Sequence, residues 1–130
     1  MAKGLDRHQA HKQALAALGK NLARRAGSRC ELCEATQGLA VTEVFAREEP
    51  DEEAAILACE RCRTALSKGP EPHDSLRALE GSAWSEVTPV QVAAIRLLKA
   101  LSNSEVAWAQ ETLDGLWIPD EIAAVIDEGR

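Results

Sequence analysis

The sequence predicts an α+β protein: a basic N-terminal helix, a small zinc-stabilised β-hairpin of the ribbon or treble-clef kind, and about three C-terminal helices. Three observations carry that expectation. Two Cys-x2-Cys pairs, Cys30/Cys33 and Cys59/Cys62, flank a stretch that reads as two short strands. Residues 6–26 repeat apolar side chains at helical spacing, and the last third of the chain carries helix-period patterns opened by proline. At 130 residues the chain has the size of one compact domain, with a single core or two small interdependent ones.

The first segment, residues 1–29, places Ala10, Ala14, Leu18 and Leu22 on one stripe at steps of four, with Leu15 beside it. Gly19 inside the run costs about 1 kcal/mol against alanine, and Gly27 is placed to end the helix. His8, Lys12, Lys20 and Arg24 fall on the other side, giving an amphipathic helix with a basic outer face.

Residues 30–68 form the metal-bearing segment. "LAVTEVF" (39–45) alternates as a short strand would, "REEPDEE" (47–53) is a charged turn, and "AAILA" (54–58) returns as a second strand. After Cys59, "ERCRTALSK" has good helix formers and stops at Gly69-Pro70, so the second cysteine pair opens a short helix. "GPEPHDS" (69–75) then connects this part to the helical region 76–130.

In that region Thr88-Pro89-Val90-Gln91 has the signature of a helix start, with Thr88 as the cap. The helix behind it, through Leu101, carries only Gln91, Arg96 and Lys99 as polar residues, and is the expected centre of the core. Ser104 is expected to cap a second helix that turns Val106, Ala109, Leu113 and Leu116 inward. Pro119 opens a third, with Ile122, Val125 and Ile126 facing the core.

No run of about 18 apolar residues exists to span a membrane. The N-terminus, "MAKGLDRHQAH", lacks the apolar stretch of a secretory signal. The expected compartment is therefore the cytoplasm, where paired cysteines hold metals or do redox work more often than they form structural disulfides. Net charge is −6 but uneven: residues 1–29 carry seven Lys/Arg against one acid, and residues 30–130 carry eight against twenty. A basic head on an acidic body suits an anionic partner, or packing against the protein's own acidic surface.

Two residues between cysteines let both sulfurs of a tight turn reach one ion, and zinc takes four thiolates in a tetrahedron. Here two such pairs stand twenty-five residues apart and use every cysteine in the chain. One structural Zn2+ held by Cys30, Cys33, Cys59 and Cys62 is the expected cofactor. The stretch 27–68 has few large apolar groups, whereas structural zinc supplies on the order of 10–16 kcal/mol of folding free energy. Arg29, Arg61 and Arg63 stand near enough in sequence to offset the negative charge of the four thiolates. Four thiolates leave no position for water or substrate, so the ion is expected to build structure rather than perform chemistry. Competing uses of four cysteines are a redox pair, disulfides and an iron–sulfur cluster; the first lacks a thioredoxin-like strand and helix pattern.

"RAGSRCELCEA", "ILACERC", "SAWSEVTPVQVAAIRLLKAL" and "WAQETLDGLWIPDE" together resemble the N-terminal region of the proteobacterial PhnA proteins, a group named for association with alkylphosphonate uptake. The resemblance spans roughly residues 24–128. It implies a zinc-ribbon-like protein with Cys30, Cys33, Cys59 and Cys62 as ligands, and no established reaction. A weaker resemblance is to the HNH-type treble clef, in which a cysteine knuckle is followed by a hairpin and a second Cys-x2-Cys opens a helix. Those nucleases place a catalytic histidine on the hairpin strand. Here the strand reads "VTEVFA" and Arg63 follows Cys62, so the nuclease machinery is absent from the matching positions.

Other residues invite functional readings that the pattern does not favour. His8 and His11 lack a third ligand in step and read as a solvated pair, as does His73 in the connector. "EEPDEE" has no calcium-loop spacing. Ser82, Ser85 and Glu86 around Trp84 have no nearby histidine motif, and Trp84 is expected to pack the C-terminal helices onto the hairpin. Lys12, Lys20, Arg24 and Arg25 are the candidate nucleic-acid contacts, although no aromatic residues interleave with them. The expected function is a non-catalytic zinc-binding interaction or regulatory module with a protein partner and no membrane association. A nucleic-acid-binding module and an enzyme of phosphonate or phosphorylated-metabolite metabolism are the alternatives. The enzyme would need an open metal position or a basic pocket with a poised base.

Overall fold

The computed structural model describes residues 2–72 and 74–128. Among them stand six α-helices and one two-stranded antiparallel sheet: α1 (Ala2–Ala26), β1 (Ala40–Glu43), β2 (Ala55–Ala58), α2 (Glu60–Lys68), α3 (Leu79–Ser82), α4 (Thr88–Asn103), α5 (Ala107–Gly115) and α6 (Asp120–Glu128). Short 3-10 turns precede β2 and α3. This is the expected α+β order of elements.

The layers follow from β2. Its four residues are all buried, because the strand has a helix on each face. Ala55 and Leu57 pack with Leu18 and Leu22 of α1, while Ile56 and Ala58 belong to the cluster built on α4. Successive side chains of a strand point to opposite faces, so the continuous apolar run "AAILA" divides cleanly between the two neighbours. The hairpin is thus the middle of three layers, α1 above and α4 below.

β1 pairs with β2 in the register Ala40↔Ala58 to Glu43↔Ala55. The ladder is shorter than the strand expected over 39–45. Val44 and Phe45 both donate to the carbonyl of Ala54, at 2.7 and 3.1 Å, so two residues face one and regular pairing stops there.

α4 is buried on most of its circumference, as its sequence requires, with Val92, Ala93, Ala94, Ile95, Leu98 and Leu101 fully enclosed. Arg96 reaches out from it to two carbonyls: Nη1 donates to Val44 O (3.0 Å) and Nη2 to Val125 O (3.1 Å). That side chain staples the hairpin and α6 to the same helix. The core cluster includes Cys30, Cys59 and Cys62 together with Leu79, Leu98 and Ile126, so the Pro-rich connector joins two parts that share one interior.

Helix starts differ from expectation by one or two residues. Val87, not Thr88, is the N-cap of α4, because Ser85 Oγ already accepts from Val87 N (3.1 Å) and shapes the turn. Ser104 closes α4, donating to Ala100 O and Leu101 O, and α5 begins only after Glu105 has turned the chain at φ +65°. On α1, Leu18 and Leu22 are buried as expected, whereas Ala10 and Ala14 are exposed: the hairpin is too short to cover the helix beyond Leu15. Trp84 does not pack the two parts together, since 57% of it faces solvent. Ser82 makes that link instead, its hydroxyl donating to Leu32 O at 2.6 Å.

Truncating Leu98 to alanine at the centre of this shared core is expected to cost about 3 kcal/mol. Far-UV circular dichroism and tryptophan fluorescence followed through urea denaturation should shift together, since both parts unfold as one unit.

Candidate metal centre

The first thiol turn is set up by the end of α1. Gly27 and Ser28 take left-handed φ values of 65° and 58°, and Ser28 N donates back to Ala23 O at 2.9 Å, a helix end that reverses the chain toward the hairpin. The knuckle then closes on itself. Cys30 N donates to Ala35 O (2.7 Å) and Glu34 N to Cys30 O (2.9 Å), with Glu34 at φ +68°. The second turn is the start of α2. Cys59 is its N-cap, in extended conformation directly after β2, and Cys62 lies in its first turn.

Hairpin register brings the two turns together. All four sulfurs lie within 4.8 Å of one another, and Cys33 Sγ and Cys59 Sγ are 3.5 Å apart. A tetrahedral ion with metal–sulfur bonds of about 2.3 Å holds its ligands about 3.8 Å apart, so the cluster has the dimensions such an ion needs. No disulfide joins them. Cys30, Cys59 and Cys62 are buried, and Cys33 is half-buried at the rim. Among the described residues this is the one group of three or more His, Cys, Asp or Glu side chains able to share an ion.

The four thiols do not ionise alike. A hydrogen bond from Cys62, aided by the backbone N–H groups of Cys33, Cys59 and Leu32, holds the Cys30 thiol down to about 4. Burial pushes the Cys33 thiol up to about 11, and the neighbouring Cys30 charge adds to it. Cys62 is pushed up strongly, first by donating to Cys30 and then by burial. One thiolate therefore forms readily and the next resists, until positive charge arrives among them.

Polar contacts around the thiols hold the turns in place. Glu31, its side chain 6% exposed, accepts from Arg25 Nε (3.0 Å) and Nη2 (2.9 Å) and from Leu57 N (2.9 Å), while its own N–H donates to Leu57 O (2.9 Å). Arg25 also donates to Glu52 O and Ala55 O. One ion pair thereby ties the end of α1, the first thiol turn and β2 together. Arg63 donates to Gly38 O (2.9 Å) and Ala58 O (3.3 Å), so it braces the hairpin base where the sequence suggested a counter-charge to the thiolates. Arg29 and Arg61 are exposed. None of these partners was read from the sequence; the only available signal for Glu31 was an acid set between two cysteines.

Of the four residues considered for nucleic acid, Lys12, Lys20 and Arg24 are exposed, and Arg25 is turned inward to Glu31. His11 is exposed, whereas the side chain of His8 and the whole of His73 lie outside the described residues. In the acidic turn, Asp51 accepts from Glu53 N (2.9 Å) and pairs with Arg47 at 3.6 Å. No protein-family model matches the chain, and comparison with curated proteins and with solved structures returns no significant match.

Two outcomes are expected. Glu31→Gln removes the charge facing the Arg25 guanidinium, which keeps the carbonyls of Glu52 and Ala55, and should lower unfolding stability by about 2 kcal/mol in denaturant titration. At neutral pH the Cys33 and Cys62 thiols still carry protons, so binding a divalent ion releases at least two of them. Affinity should accordingly fall by on the order of 100-fold for each pH unit of acidification, measured by competition with a chromophoric chelator.

Proposed function

We propose that this chain is a small zinc protein in which one Zn2+, bound by Cys30, Cys33, Cys59 and Cys62, completes the fold, and that it works by contact with a macromolecular partner rather than by catalysis. The single observation that carries the reading is the convergence of the four sulfurs within 4.8 Å. Zinc is favoured over other ions by four soft thiolate ligands at tetrahedral spacing. A tetrathiolate ion is coordinatively saturated, which argues for a structural role.

The order of elements supports a treble-clef arrangement over a ribbon. A thiol turn is followed by a hairpin, and the second thiol pair opens a helix, α2. The resemblance of the cysteine segments and of the α4 region to PhnA proteins agrees with a zinc-binding module that carries no assigned reaction. Thr42, on the strand where HNH nucleases keep a catalytic histidine, belongs to a run without one.

Native mass spectrometry is expected to find one zinc per chain. Chelation, or Cys59→Ser together with Cys62→Ser, should remove the ion and the cooperative unfolding transition together. Metal loss with the transition intact would refute the structural role.

A further inference from the structure

The four cysteines of the cluster are not equally enclosed. Cys30 and Cys62 are 1% and 0% exposed, whereas Cys33 is half-buried at the rim. Cys59 is 6% exposed and lines a cavity of about 820 Å³ together with Gln37, Gly38, Arg61, Thr64 and Lys68. The two thiols that a small molecule can approach are therefore one from each turn, and their sulfurs stand 3.5 Å apart. A disulfide of about 2.05 Å needs them to close by roughly 1.5 Å, a distance that rotation of two side chains can share. The Cys30 sulfur is held inside the knuckle, where it accepts from Cys33 N at 3.5 Å.

A bond between Cys33 and Cys59 would also do what a shared ion does. It closes residues 33–59 into a loop that spans the whole hairpin and ties the knuckle to the start of α2. A bond within either Cys-x2-Cys pair staples one turn to itself and leaves the two turns apart.

We propose that Cys33 and Cys59 form a peroxide-sensitive pair: a small neutral hydroperoxide oxidises them to a disulfide, zinc is released, and the new bond keeps the two turns joined. This rests on the reading that the four thiols hold one Zn2+. Four thiolates around a divalent ion carry net negative charge, which disfavours anionic oxidants. The Cys33 sulfur attacks a peroxide oxygen, the O–O bond breaks and hydroxide leaves, so that Cys33 becomes a sulfenic acid. The Cys59 sulfur then attacks the Cys33 sulfur, the S–O bond breaks and a second hydroxide leaves. Two thiolates have lost two electrons, and one peroxide has become two hydroxides. Cys30 and Cys62 remain as ligands, fewer than a structural zinc site uses. A dithiol reductant returns two electrons to the bond and restores both thiolates.

The test treats the zinc-loaded full chain with about one equivalent of hydrogen peroxide. Released zinc is read with a chromophoric chelator, and bridges are mapped by mass spectrometry of unreduced peptides. Zinc should leave in step with a Cys33–Cys59 bridge, with circular dichroism and the cooperative transition retained, unlike the outcome of chelation, and dithiothreitol should restore zinc binding. In Cys33→His, whose imidazole is itself a zinc ligand, release by peroxide should slow at least about tenfold, measured on the fraction that native mass spectrometry shows loaded. A first bridge of any other pairing, Cys33 carried to the sulfinic acid without a bridge, or release accompanied by loss of the transition overturns the proposal. Native mass spectrometry before peroxide separates the two readings. Absence of zinc there overturns both, whereas zinc present and kept under peroxide overturns this one alone.

Discussion

Everything around the thiols depends on the register of a four-residue hairpin. Ala40 faces Ala58, and Cys59 follows at once, so the pairing of β1 with β2 decides where the second thiol turn begins. A slip of one residue would send Ile56 and Ala58 to the α1 face and displace Cys59 from the sulfurs of the knuckle. So short a ladder is not stable by itself. Its alignment is enforced from outside, by leucines of α1 on one face, α4 on the other, and the Arg25–Glu31 pair along the edge of β2.

Those supports make the thiol cluster part of the main interior rather than an appended finger. Leu32 sits between Cys30 and Cys33 and is fully buried in the cluster that includes Leu98 and Leu101, and Ser82 holds its carbonyl from the helical side. The thiol turns and the C-terminal helices accordingly stabilise each other, so a stretch poor in large apolar residues shares its interior with the helical part. The charges that do the bracing all end on backbone carbonyls: Arg63 at the hairpin base, Arg96 at its far end, Arg25 at the turn before β2.

How much of this could be read in the letters depended on whether the signal was local. The cysteine pairs were legible because a two-residue gap is itself the ligand geometry, and α4 was legible because its apolar residues leave no polar stripe. The hairpin was recognised but overextended, since nothing in "VTEVF" announces that Val44 and Phe45 share one acceptor. Thr88 resembled a cap as much as Val87 did not, and only the Ser85 hydroxyl, three residues earlier, explains the difference. Trp84 was expected inside on size alone; its position after α3 leaves it on the outer side. Long-range polar pairs such as Arg25 with Glu31, or Ser82 with Leu32, have no period and no motif, so the residues that hold the candidate site in place were the ones the sequence concealed.

The placement of α4 has a bearing on how the protein is made. Synthesis runs from α1 through both thiol turns before the helix that closes over them has been translated. A nascent chain therefore offers four uncovered sulfhydryls, 26 to 58 residues ahead of the start of their lid, to whatever the surrounding fluid contains, whether a metal donor or an oxidant. The order of genes along a message is often discussed as timing; here the order of elements along one polypeptide sets an interval of vulnerability that ends only when α4 arrives.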